Sequence, residues 1–121
     1  MIQYDYIKES TYSFVLDEKI TPTKAKAFIT MLIHEIGMEL VHLQENVLEP
    51  GFDICATIKQ SIVYFGYWYE HDYVRLIVSS CKTYESKLII DSINKFFDVK
   101  SKVSCCIAKD CTITKEVKAL C

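Results

Sequence analysis

Residues 51–81, GFDICATIKQSIVYFGYWYEHDYVRLIVSSC, decide the fold. Their first third alternates Ile54, Ala56 and Ile58 with Cys55, Thr57 and Lys59, the period of a half-buried strand. Residues 62–67 and 73–81 are dense in Val, Ile and Tyr, which suit a pleated surface, and His71-Asp72 reads as a kink between them. At Lys59-Gln60-Ser61 the chain offers no Gly, Pro or Asn for a tight hairpin turn.

Upstream, residues 11–16 set Tyr12, Phe14 and Leu16 on one face and Thr11, Ser13 and Val15 on the other, a first strand. Thr21-Pro22 opens a helix over 22–36, with Thr21 as N-cap and Pro22 at the first helical position, where its missing N–H costs nothing. Ala25, Phe28, Ile29, Leu32 and Ile36 form its apolar stripe, and Gly37 is its stop. Residues 38–43 return as a strand, and Glu49-Pro50-Gly51 is turn chemistry. Downstream, Leu88, Ile89, Ile93, Phe96 and Phe97 form a second helical stripe near 84–97, capped by Thr83 or Ser86. Residues 103–108 close as a last strand. This order predicts a two-layer α/β (α+β) sandwich: an antiparallel-rich sheet with both helices on one face, one domain over 1–121.

A formal net charge of −2 and a single arginine, Arg75, argue against a nucleic-acid or anionic-membrane partner. The N-terminus shows no signal-peptide pattern and no apolar run is long enough for a membrane span, so the expected compartment is the cytoplasm. Cys55, Cys81, Cys105, Cys106, Cys111 and Cys121 lack the paired spacing of a zinc site. They are expected to be free thiols, most of them small core residues; the C-terminal four are a minor candidate for a metal or redox group. His34-Glu35 has no second histidine at metalloprotease spacing, and three glycines supply no phosphate loop.

Gly51, Ser61, Trp68, Glu70, Tyr73 and Cys81 stand in an order and at distances that resemble the small prokaryotic S-adenosylmethionine decarboxylases. The resemblance implies self-cleavage between Gln60 and Ser61, leaving a pyruvoyl cofactor derived from Ser61. Such a group captures a substrate amine and acts as an electron sink for loss of carbon dioxide. It further implies that Glu70 accepts hydrogen bonds from ribose hydroxyls and that the Cys81 thiol returns a proton to the decarboxylated carbon. Trp68 and its neighbouring tyrosines suit a purine or a sulfonium, and equally a core or a subunit interface.

Four positions around the cleavage site depart from the family pattern. Gln60 replaces a glutamate and Ile62 a histidine, while Asp53 and Gly66 stand where a serine and a histidine assist cleavage. Val47 aligns with an aromatic residue that packs on adenine. Asp53 is the one aligned group able to replace the missing base. On residue type alone, Ser61 reads as a strand serine, Asp53 as a solvated loop residue, Glu70 as a surface carboxylate and Cys81 as a buried structural thiol.

Two functions follow. The favoured one is a divergent, unprocessed homologue that binds a nucleoside ligand such as S-adenosylmethionine or serves as a regulator. The alternative is an active pyruvoyl-dependent decarboxylase in polyamine synthesis. The resemblance also implies a homodimer or a hetero-oligomer with a paralogue, with the aromatics of 64–73 as a surface for the partner to cover.

Overall fold

A computed structural model describes residues 8–109. Its order is β1 (Lys8–Val15), α1 (Pro22–Glu35), β2 (Leu40–Leu48), β3 (Gly51–Ile58), β4 (Ser61–Trp68), β5 (Tyr73–Ser80), α2 (Ser86–Phe96) and β6 (Ser104–Lys109). The six strands form one antiparallel sheet in the order β2-β3-β4-β5-β1-β6. This is the predicted two-layer sandwich.

Strand periodicity sorts the side chains into two faces. Tyr12 and Phe14, Phe52 to Ile58 at alternate positions, Val63, Phe65 and Tyr67, and Val74, Leu76 and Val78 are buried on one face. Helix α1 meets them with Ala25, Phe28, Ile29, Leu32 and Ile33, and α2 with Ile89 and Ile93. The layers interlock through Phe28, whose ring lies 6.0 Å from Phe65, 5.3 Å from Phe96 and 4.9 Å from Phe97. Among the described residues the opposite face carries no helix, so Asn46, Asp53, Tyr64, Gly66, Trp68, Tyr73 and Arg75 share an open surface.

The cap at Thr21 forms as expected, its hydroxyl accepting from the Lys24 amide at 3.2 Å, and Gly37 takes a positive φ of 72° after the helix. Several local expectations are corrected. Neither Thr83 nor Ser86 caps α2: Glu85 holds that position without a side-chain bond, and Ser86 is already helical. Strand β2 continues to Leu48 because Gln44, Glu45 and Asn46 lie on the sheet's edge, where polar side chains remain wet while the backbone pairs with β3.

The largest correction concerns residues 59–60. They form a two-residue hairpin turn, closed by the pair Ile58–Ser61, although no Gly or Asn is present. Ser61 itself supplies the unusual backbone, with φ at 153°. Cysteine placement also differs from expectation. Cys55, Cys81 and Cys106 are exposed and only Cys105 of the described four is buried, because Cys55 and Cys106 fall on the open-face phase of their strands. Cys111 and Cys121 lie outside the described residues.

Candidate functional site

Most of the predicted site residues fall into two groups at opposite ends and on opposite faces of the sheet, with Val47 and Glu70 outside both. The first surrounds the β3–β4 turn. Ser61 is exposed and pairs with Ile58 on one side and Ser80 on the other. The Cys81 amide donates to the Gln60 carbonyl at 3.2 Å, so the carbonyl that Ser61 would attack is already polarised by a backbone donor. The Gln60 side-chain oxygen accepts from the Glu39 amide at 3.3 Å. A φ of 153° is rare for a residue with a Cβ and stores strain of order 1–3 kcal/mol at this peptide. Gln60, Ser61 and Cys81 are therefore assembled. Cys81 is exposed, which corrects the reading of it as a buried structural thiol.

The second group lies on the open face around Gly66. Asp53 is directly opposite Gly66, with Arg75 in register on the far side. The Asn46 amide donates to Asp53 at 2.8 Å, and the Tyr64 hydroxyl lies 3.5 Å from the other carboxylate oxygen. A Cβ placed on Gly66 would sit 2.8 Å from the Tyr64 hydroxyl oxygen and 3.2 Å from the Trp68 ring. The two aromatic side chains thus lean over the glycine and occupy the space where a longer side chain would begin. Burial, reinforced by the Asp53 carboxylate, pushes the Tyr64 phenol up, so Tyr64 remains a protonated donor at neutral pH. The same two causes raise the Cys55 thiol.

Beside this group, Leu48, Glu49, Asp53, Tyr64, Tyr67 and Trp68 border a cleft of about 210 Å³. That is below the ~300 Å³ at which drug-sized ligand pockets usually begin. Trp68 and Tyr73 extend the aromatic surface, with ring centroids 5.4 Å apart.

The structure does not unite the two groups within a chain. Asp53 is in register with Gly66, five residues along β4 from Ser61, which places it roughly 17 Å away. An odd separation also puts the two side chains on opposite faces. Asp53 therefore does not serve its own Ser61 as a base, a correction to the sequence-based expectation. Val47 is exposed and in register with Phe52, on the helix-side phase of β2 rather than beside Asp53.

Glu70 is exposed in the turn between β4 and β5. That turn is fixed by Asp72, which has φ 48°, accepts from the Tyr67 hydroxyl at 2.5 Å and pairs with Lys19 at 3.0 Å. Lys19 also donates to the Tyr69 carbonyl at 2.7 Å. The Tyr67 hydroxyl, followed by Lys19, holds the Asp72 carboxyl below its ordinary value. A lowered folded-state value contributes stability above the unfolded pKa, and that contribution disappears as pH falls through the folded value. Asp72→Asn is accordingly expected to lower stability at pH 7, with the gap to the parent closing as pH falls below about 4. Urea midpoints across that range check it; a gap that widens in acid would reverse the assignment.

Sequence reasoning missed Asn46 and treated Tyr64 only as one of an aromatic cluster. The available signal was Gly66, since a glycine inside an aromatic-rich strand marks a close approach. Among the described residues no group of three or more His, Cys, Asp or Glu is placed to hold a metal ion, and no helix is long and apolar enough to cross a membrane.

No family model matches the sequence, and no curated protein does. Among solved structures, the chain is similar to an adenosylmethionine decarboxylase from Aquifex aeolicus, with TM-score 0.69 and 14% identity over 93% of this chain and 96% of that one. At that identity the likeness establishes the fold.

Proposed function

We propose that this protein is an unprocessed member of the S-adenosylmethionine decarboxylase fold that binds a nucleoside-type ligand across its open sheet face. The observation that carries the reading is the filled space above Gly66. Tyr64 and Trp68 occupy the volume a helper side chain would need, and Asp53 is engaged by Asn46 and Tyr64 instead of facing Ser61. General acid–base assistance contributes ~10²–10⁴ in rate, so a serine without a positioned base reacts slowly.

Aromatic faces beside the Asp53 and Glu49 carboxylates suit a ligand that combines a planar ring with positive charge, such as S-adenosylmethionine. Because the cleft is small and open, a second copy or a paralogue laid over this face would complete it.

The alternative, an active pyruvoyl-dependent decarboxylase of S-adenosylmethionine or a related amino substrate, is favoured by different observations. They are the strained φ of Ser61 and the Cys81 amide on the Gln60 carbonyl, which suit transfer of the acyl group from nitrogen to the serine oxygen. In that case Ser61 is the source of the pyruvoyl group, and the exposed Cys81 thiol is placed to handle a proton beside it.

Intact mass of freshly purified protein decides between them. A single mass for the whole chain, with saturable S-adenosylmethionine binding by calorimetry that Trp68→Ala weakens, is the expected result. Two fragments separating before Ser61, with carbon dioxide release abolished by Ser61→Ala, would establish the alternative. An intact chain that does not bind S-adenosylmethionine would remove the ligand assignment.

A further inference from the structure

We infer that the edge of β2, which no other described strand covers, pairs with the β2 edge of a second copy, extending the sheet across a two-fold axis at Gln44. This interface uses the rim of the sheet and is independent of the ligand-binding reading, which uses its open face.

Strand β2 is the longest of the described strands, nine residues, and it ends the sheet. An exposed edge presents a row of unpaired backbone donors and acceptors, which proteins usually protect with short strands, lysines or prolines. The sequence of β2, Leu40 to Leu48, is LVHLQENVL, with neither lysine nor proline. Its one formal charge, Glu45, is paired with Lys26 of the same chain at 2.7 Å. Four large apolar side chains are exposed among the described residues, and Val41, Val47 and Leu48 of this strand are three of them.

The strand is nearly palindromic, which selects the occupant. An antiparallel two-fold pairing centred on Gln44 sets Gln44 opposite its copy, Leu43 opposite Glu45, His42 opposite Asn46 and Val41 opposite Val47. A symmetric dimer contact must be self-complementary in this way, each residue finding its partner's counterpart. The register joins two valines at each flank, pairs His42 with Asn46 and Gln44 with its copy as hydrogen-bonding partners, and sets Leu43 against Glu45, with no like charges opposed. It also satisfies backbone parity. Leu48–Gly51 closes the two-residue hairpin, so even-numbered β2 residues bond to β3 and odd-numbered ones direct their amides outward. The Gln44-centred register matches odd with odd, outward donors with outward acceptors. The irregularity between Leu40 and His42 falls on Val41, so the regular backbone pairing runs from His42 to Asn46 and Val41 meets Val47 at its margin, where the strand bulges.

The test places a thiol on the proposed axis. Gln44 is opposite Cys55 within the chain, so the variant is made as Gln44→Cys with Cys55→Ser to prevent an internal bridge. Directly opposed strand residues have Cβ atoms close enough for a disulfide. Mild oxidation is expected to give a covalent dimer on non-reducing gels at least ~10-fold faster than His42→Cys in the same background, because His42 is displaced from its own copy by four residues. Adding Val47→Lys, at a side chain 63% exposed and so compatible with folding, is expected to suppress that crosslink. Equal rates for the Gln44 and His42 thiols, crosslinking no faster than in the Cys55→Ser parent, or indifference to Val47→Lys would each overturn the pairing.

Discussion

Gly51→Ala is expected to destabilise the protein by about 3 kcal/mol or more, at or above the upper end of ordinary overpacking costs. A Cβ at this position would lie 1.8 Å from the Tyr67 carbonyl oxygen, 2.9 Å from its carbon and 3.2 Å from the Trp68 Cα. All three are backbone atoms, so no side-chain rotation relieves the clash. The β3 and β4 strands would have to separate at the Gly51–Trp68 rung, which is also the floor of the cleft. Gly66→Ala is the internal control. Its nearest obstruction is the end of the Tyr64 side chain, and its other close neighbours are ring atoms of Tyr64 and Trp68, which can swing aside. Urea titration should show a large fall in midpoint for Gly51→Ala and a small one for Gly66→Ala. Near-equal midpoints would show that the close approach at Gly51 is not what the sequence requires there.

The two glycines illustrate how much could be read in advance. Gly51 was legible as turn chemistry with Pro50, and the alternation from Ile54 to Ile58 correctly placed β3 with one face in the core. Thr21-Pro22 and its stripe gave α1 nearly to the residue. The β3–β4 hairpin was harder because its unusual backbone falls on a serine, a type that turn statistics do not associate with positive φ. Once that turn is placed, the site follows by arithmetic. Ile58 opposite Ser61 puts Asp53 opposite Gly66, and odd separation puts Ser61 on the other face. Linear spacing alone could not show that Asp53 and Ser61 lie apart. The cysteines failed for a related reason: type frequency favours burial, but strand phase decides which face a side chain takes, and Cys55 took the wet one.

The separation of Asp53 from Ser61 sets the expected outcome for restoring self-cleavage. Asp53→Ser with Gly66→His returns the family's residues, but a histidine at 66 meets the Tyr64 hydroxyl and the Trp68 ring, so the pair alone is expected to change little. Adding Tyr64→Val removes the nearest obstruction and leaves only the Trp68 ring edge, and cleavage before Ser61 is then expected to rise ~10²–10⁴-fold, the usual worth of general acid–base assistance. With helper and nucleophile roughly 17 Å apart and on opposite faces of one sheet, the help must come from a second copy. Two consequences are measurable by intact mass. The triple variant should process faster as its concentration rises. Mixing the parent with a triple variant that also carries Ser61→Ala should cut the parent chain, which keeps its serine, and leave the serine-free chain whole. Concentration-independent cleavage by the triple variant, with no transfer of processing in the mixture, would place the helper residues within reach of their own Ser61 and contradict the register described here. A triple variant that stays uncut with parental stability would instead show that the missing base is not what holds the parent intact.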